Sequence, residues 1–129
     1  MPCATAAPRV FLADDSPAIR ERLNLLLVAA RMDVVGEAAT PRECIDGILA
    51  SHPDVVVLDV QLEGGSGLEV LRAVRGADPG IAFVVFSNNA GAAYRKRYLA
   101  EGAVFFLDKS ADFQDLAPAI ATASRPPVH

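Results

Sequence analysis

Five short apolar runs alternate along the chain with five stretches whose apolar positions recur at helical spacing. The runs are VFLAD (10–14), MDVVGE (32–37), DVVVLDV (54–60), IAFVVFS (81–87) and AVFFL (103–107). Several are nearly continuous Val, Ile, Leu and Phe, which suits strands covered on both faces, as in a parallel sheet. Between them, Ile19, Leu23, Leu26, Leu27 and Ala30 make one predicted helix face, Ile45, Ile48 and Leu49 a second, and Leu68, Leu71 and Val74 a third. Ser16-Pro17 and Thr40-Pro41 each set a capping side chain before a proline at the first helical position. Thr40 with Glu43, like Ser66 with Glu69, spells a capping box. Gly36 and Gly102 punctuate loops. Pro118 falls inside the last periodic stretch, where a proline costs about 3 kcal/mol, so that helix either starts late, near Asp115, or bends. The alternation predicts an α/β fold of (βα)5 type: a doubly wound, five-stranded parallel sheet with helices on both faces.

Length and composition narrow this further. The 129 residues make one domain with room to bury about two thirds of the surface its unfolded form would expose. A hydrophobic content of 52% and a charged content of 22% are those of a globular chain, not a disordered one. A net charge of −4 makes neither nucleic acid nor an anionic membrane an obvious partner. Cys3 and Cys44 form no disulfide framework and no metal spacing, no leader or span is visible, and a reducing cytoplasm fits best. The domain is expected over residues 9–124, between disordered tails at 1–8 and 125–129.

The chemistry concentrates at strand ends. In an open doubly wound sheet a ligand binds beyond the carboxyl ends of the strands, where the strand order switches. The first strand ends in Asp14-Asp15, the third in Asp59, the fourth in Ser87, and the fifth runs into a loop carrying Lys109. If the order is the flavodoxin-like 2-1-3-4-5, these groups share one rim. Singly each has an ordinary reading: Asp14 and Asp15 as helix caps, Asp59 as a loop carboxylate, Ser87 and Lys109 as loop residues. Together, three crowded carboxylates require either a proton or a divalent ion. An all-oxygen ligand set without paired His or Cys selects Mg²⁺ or Mn²⁺ over zinc. An aspartate is a covalent phosphoryl acceptor in such settings, with a metal, a lysine and a hydroxyl as natural partners.

The blocks FLADDSPAIRERL, VVVLDVQLEGGSGLEVLRAVR, VVFSN and GAVFFLDKS, in this order, make the chain resemble a response-regulator receiver domain over roughly residues 8–124. It is similar to the chemotaxis-type single-domain regulators of two-component signalling. The resemblance implies that Asp59 is the phosphoacceptor, Asp15 a direct Mg²⁺ ligand, Asp14 a ligand through metal-bound water, and Gln61 a ligand through its main-chain carbonyl. Lys109 would pair with the phosphoryl group and Ser87 would move to hydrogen-bond it. Phe106 would follow into the space behind, altering the face of the fourth helix, fifth strand and fifth helix. Phe106 also reads as ordinary core, and a readout through a tyrosine hydroxyl is excluded at that position.

The chain departs from the family pattern in places. Ser110 stands where proline is common after the lysine and is expected to cap the last helix. Asn88 stands where a small residue is usual and is expected to crowd the way in. Gln61 and Asn89 occupy positions that tune acyl-phosphate hydrolysis. AAYRKRYLAEG (92–102) holds the one dense basic run. It reads as a solvated helix face or, more sharply, as a docking surface carrying Tyr94, Tyr98, Arg95 and Arg97.

The expected function is a stand-alone receiver, with no output domain after Ser124, that takes its phosphoryl group from a sensor histidine kinase or histidine phosphotransfer protein. It would relay the signal by contact with a downstream protein and catalyse only its own Mg²⁺-dependent phosphorylation and dephosphorylation. Two alternatives are a phosphorylation-independent interaction scaffold and an aspartate-dependent phosphohydrolase. The second is disfavoured because Gln61, two residues after Asp59, supplies no second acid.

Overall fold

The computed structural model describes residues 7–89 and 91–124. Five parallel strands, β1 (Arg9–Ala13), β2 (Asp33–Ala38), β3 (Val55–Leu58), β4 (Ala82–Ser87) and β5 (Phe105–Asp108), form one sheet in the order 2-1-3-4-5. The helices are α1 (Pro17–Ala29), α2 (Pro41–Ser51), α3 (Gly67–Ala77), α4 (Ala92–Ala100) and α5 (Leu116–Ala123). A two-residue antiparallel ladder, Gln61–Leu62 against Gly65–Ser66, closes the turn between β3 and α3. The flavodoxin-like fold predicted from the alternation is the fold observed. Of the expected tails at 1–8 and 125–129, residues 1–6 and 125–129 lie outside the described residues, and the Pro8 carbonyl accepts Asp33 N–H at 2.9 Å.

The sheet divides the core in two, and strand alternation assigns each side chain to one half. Phe11, Val56, Leu58, Phe83, Val85 and Phe106 face α2, α3 and α4. Val10, Leu12, Val55, Val57, Val84 and Phe86 face α1 and α5. All four residues of β3 are buried, which explains the unbroken VVVL run at the centre of the sheet.

Capping follows the sequence with one difference. Ser16 accepts from Ile19 N–H at 3.3 Å, and Thr40 from Glu43 N–H at 3.2 Å. Ser66 N–H donates to Glu69 Oε2 at 2.8 Å. The Glu43 carboxylate, however, takes the Thr40 hydroxyl at 3.2 Å. Pro118 is the third residue of α5, preceded by a 3₁₀ turn at Phe113–Asp115, so the helix starts late and the missing N–H interrupts nothing. Phe113 holds that turn down, edge-on to Phe86 at 5.3 Å and beneath the Arg22 guanidinium at 4.2 Å.

Three expectations are corrected. Gly36 lies inside β2, not in a loop: the β1–β2 register slips between Val10 and Phe11, and a Cβ at Gly36 would stand 2.8 Å from the Phe11 ring. Ala30 is exposed, because α1 ends one residue earlier. Ser110 does not cap α5; its N–H and hydroxyl both donate to Asp108 Oδ1, at 2.8 and 2.7 Å, within the tight turn that follows β5.

Candidate functional site

Three strand ends meet as the strand order requires. β1 and β3 are neighbours, β3 and β4 are neighbours, and β5 lies beyond β4. Asp14 and Asp59 each follow the last residue of a strand, Asp59 with its N–H on the Ala13 carbonyl at 2.9 Å. Ser87 ends β4, and its carbonyl accepts the Lys109 N–H at 3.1 Å, which brings the lysine across from β5. The carboxylates of Asp14, Asp15 and Asp59 offer oxygens within 4.8 Å of one another.

Each carboxylate has its own surroundings. Asp14 is 2% exposed; its Oδ1 accepts Ser16 N–H at 2.9 Å and its Oδ2 takes Lys109 Nζ at 2.6 Å. Asp59 is 8% exposed; its Oδ2 takes the same ammonium at 2.9 Å, while its Oδ1 has a single long contact, Gln61 N–H at 3.5 Å. Asp15 is exposed. A cleft of about 150 Å³ opens over this cluster, lined by Asp15, Asp59, Gln61, Ser87, Asn88 and Asn89. The less engaged oxygen of Asp59 is the nucleophilic candidate.

Burial raises the Asp14 carboxyl above its ordinary value and outweighs the bonds from Lys109 and Ser16 that oppose it. Burial also opposes the Lys109 charge, but the bonds to Asp14 and Asp59 prevail and hold that ammonium above its usual value. One buried cation thus bridges two carboxylates, and with Asp15 beside them the rim keeps an excess of negative charge. Such an oxygen-only set fits a hard divalent cation such as Mg²⁺, with the carboxylates of Asp14, Asp15 and Asp59 as the groups able to hold it.

Ser87 is fully buried, and its hydroxyl accepts Asn89 N–H at 3.1 Å, within its own loop. Asn88 borders the cleft. Phe106 is already inward, 3% exposed, edge-on to Tyr98 at 6.1 Å. The docking surface expected on α4 is corrected in part. Tyr98 is 2% exposed and faces the core, and Arg95 Nη1 donates to the Phe106 carbonyl at 2.8 Å, leaving Tyr94 and Arg97 outward.

Two contributors escape a reading of sequence. Arg20 of α1 donates to the Asp14 carbonyl and to Glu37 Oε1, fixing the backbone under the acid pair. Gly67 lies directly against the Asp59 backbone: a Cβ there would overlap the Asp59 carbonyl oxygen and stand 3.2 Å from Leu58 Cγ. The glycine-rich turn was visible, but not which glycine lies under the aspartate. Gly67→Ala is expected to cost about 2–3 kcal/mol, the upper part of the overpacking range. Neither backbone can yield, because Gly67 N–H is bonded to the Val60 carbonyl at 2.7 Å and Asp59 N–H to Ala13. Urea unfolding beside the wild type checks this.

Known proteins share this family pattern and this fold. The pattern of the family described as response regulator receiver domain matches residues 10–121. The transcriptional activator DevR/DosR of Mycobacterium tuberculosis is 32% identical over 113 residues, covering 87% of this chain and 52% of that protein. The chain thus spans about half the length of such relatives. Among solved structures, a LuxR-family response regulator from Aurantimonas sp. superposes with a TM-score of 0.85 at 32% identity, covering 92% of this chain and 85% of that one. The receiver domain of the putative regulator NarL from Mycobacterium tuberculosis gives 0.86 at 28% identity, covering 95% and 100%. Among the described residues, no helix is long and apolar enough to cross a membrane. A family pattern over most of the chain, on a fold whose strand ends gather three aspartates and a lysine, identifies this chain as a member of the response-regulator receiver domain family, the phosphoryl-accepting domains of two-component signalling.

Proposed function

We propose that Asp59 accepts a phosphoryl group from a phosphohistidine on a sensor histidine kinase or a histidine phosphotransfer protein in the cytoplasm. The observation that carries this reading is the arrangement around Asp59: an oxygen with one long contact on a residue that lines the cleft, two further carboxylates within 4.8 Å, and Lys109 Nζ at 2.9 Å. The Asp59 oxygen bonds to phosphorus as the phosphorus–nitrogen bond breaks. The leaving imidazole keeps the electron pair, which a proton then takes up. A bound Mg²⁺ or Mn²⁺ supplies neutralising charge for the phosphoryl oxygens. Asp15 and the Gln61 carbonyl would hold that cation directly, together with Asp59, and Asp14 at one remove through water.

Lys109 has two carboxylate partners before transfer and is positioned to exchange one for a phosphoryl oxygen. Ser87 holds a hydroxyl at the cleft wall that can leave Asn89 for the same group, and Phe106 is a core side chain of β5, two residues before the strand partner of Ser87. The new charge then biases the face of α4, β5 and α5 toward a downstream protein. The covalent chemistry stays within Asp59, formed and hydrolysed as an acyl phosphate, with no outside substrate turned over.

Incubation with Mg²⁺ and acetyl phosphate, followed by intact mass, is expected to show one added phosphoryl group that vanishes when the metal is chelated. Borohydride reduction of the acyl phosphate, followed by peptide mapping, is expected to leave homoserine at position 59. Label at another residue, or a gain independent of divalent ions, would overturn the reading.

A further inference from the structure

The turn that carries Asp59 is held by a bond that none of these roles uses. Tyr98 is the one buried residue of α4, and its hydroxyl donates to the carbonyl of Val60 at 3.3 Å. The same carbonyl accepts Gly67 N–H at 2.7 Å, so both of its lone pairs are engaged, one by the first residue of α3 and one by α4. Val60 lies between Asp59 and Gln61. Its carbonyl belongs to the peptide plane that also carries the Gln61 N–H, the one contact of Asp59 Oδ1, at 3.5 Å, and that plane adjoins the one bearing the Gln61 carbonyl.

The other side of Tyr98 is equally constrained. Its ring packs edge-on against Phe106 at an interplanar angle of 67°, and Phe106 lies under the Arg95 guanidinium at 5.2 Å. Every other residue of α4 is exposed, so this helix is seated by Tyr98 and by the Arg95 bond to β5 rather than by an apolar face. Beside Tyr98 a groove of about 550 Å³ separates the turn from α4, lined among others by Val60, Gln61, Leu68, Tyr94 and Arg97. It gives the helix room to move toward the turn. Burial pushes the Tyr98 phenol up to about 12, so it remains a donor throughout the neutral range.

We propose that Tyr98 is a positioning residue for the phosphorylation site, acting through the Val60 carbonyl, and that α4 senses the state of the turn through this same bond. The inference rests on the Asp59-centred reading above. A shift of the Gln61 peptide rotates the Val60 carbonyl, and the hydroxyl bonded to it carries the shift into α4. By linkage, anything that moves α4 biases the turn to the same extent.

Mg²⁺ alone, titrated into the isotope-labelled chain without a phosphodonor, provides the test. Amide signals of Asp14, Asp15 and Gln61 are expected to shift, and those of residues 94–99 to shift with the same midpoint. Tyr98→Phe keeps the ring and its contact with Phe106 and loses only the hydroxyl. It is expected to weaken Mg²⁺ binding about fivefold, the worth of one neutral hydrogen bond. It should also abolish the response of 94–99 while that of Asp14 and Asp15 persists. Unchanged affinity with an unchanged α4 response overturns the proposal and leaves the Asp59 reading standing. No response of Asp14, Asp15 and Gln61 in the wild type overturns that reading, and the proposal falls with it. Should the variant not fold, the Tyr98 ring signals of the wild type decide: they must follow the Gln61 midpoint, and indifference to Mg²⁺ overturns the tether.

Discussion

Asp59→Asn is expected to take up no phosphoryl group from acetyl phosphate while remaining folded, a loss of at least about a thousandfold in rate, as befits removal of a covalent nucleophile. The carboxamide has the shape of the carboxylate but no anionic oxygen, and its nitrogen lone pair is delocalised. Nothing else in the neighbourhood should collapse. Lys109 keeps Asp14 at 2.6 Å, and the backbone of residue 59 keeps its bond to Ala13 at 2.9 Å. Removing one of two buried anions that share a cation should leave stability within about 1 kcal/mol of the wild type. Intact mass and urea unfolding, measured on one preparation, separate these effects. Phosphorylation of the variant at the wild-type rate would place the acceptor elsewhere.

Lys109→Met removes the cation from between two carboxylates that are 2% and 8% exposed, and is expected to destabilise the protein by about 3 kcal/mol at neutral pH, the low end for breaking a buried pair. The rate of phosphorylation should fall about 10²–10³-fold, because charge developing on the phosphoryl oxygens loses a fixed partner. The stability difference should depend on pH in a defined sense. The folded pKa of Lys109 is raised, so its contribution is complete below 10.5 and is lost as pH climbs through the higher folded value. On the acid side, Asp14 has a raised folded pKa, so the folded chain binds that proton more readily than the unfolded one. Acidification toward 3.8 therefore relieves the variant's uncompensated charge and closes the gap. Urea midpoints of both proteins across pH, without divalent ions, check the sign. A difference that widened on acidification would contradict it.

Much of this architecture was legible because buried parallel strands leave a strong mark. The unbroken apolar stretches of β3 and β4 follow from burial on both faces, and Ser16-Pro17 and Thr40-Pro41 start helices where they were expected. The site was legible at its charged members, since Asp14, Asp15, Asp59 and Lys109 stand at or just past strand ends and topology alone brings them together. What stayed hidden depends on contacts between elements distant in sequence. Gly36 looked like a loop glycine because the pattern does not reveal that Phe11 of the neighbouring strand needs the space of its side chain. Tyr98 looked like a surface aromatic in a basic run, since its burial depends on an acceptor 38 residues away. Ser110 looked like a cap because nothing local announces that Asp108 takes both of its donors.

The buried thiol of α2 has a use beyond packing. Cys44 is fully enclosed beside Ile48 and Phe11, and burial pushes it up to about 12, so almost none of the thiolate that reacts with electrophiles exists in the folded chain. With Cys3 replaced by serine, the pace at which a thiol reagent consumes the protein becomes the pace at which its interior is laid open. The chain thus carries its own clock for rare opening events, readable without a probe added to the core.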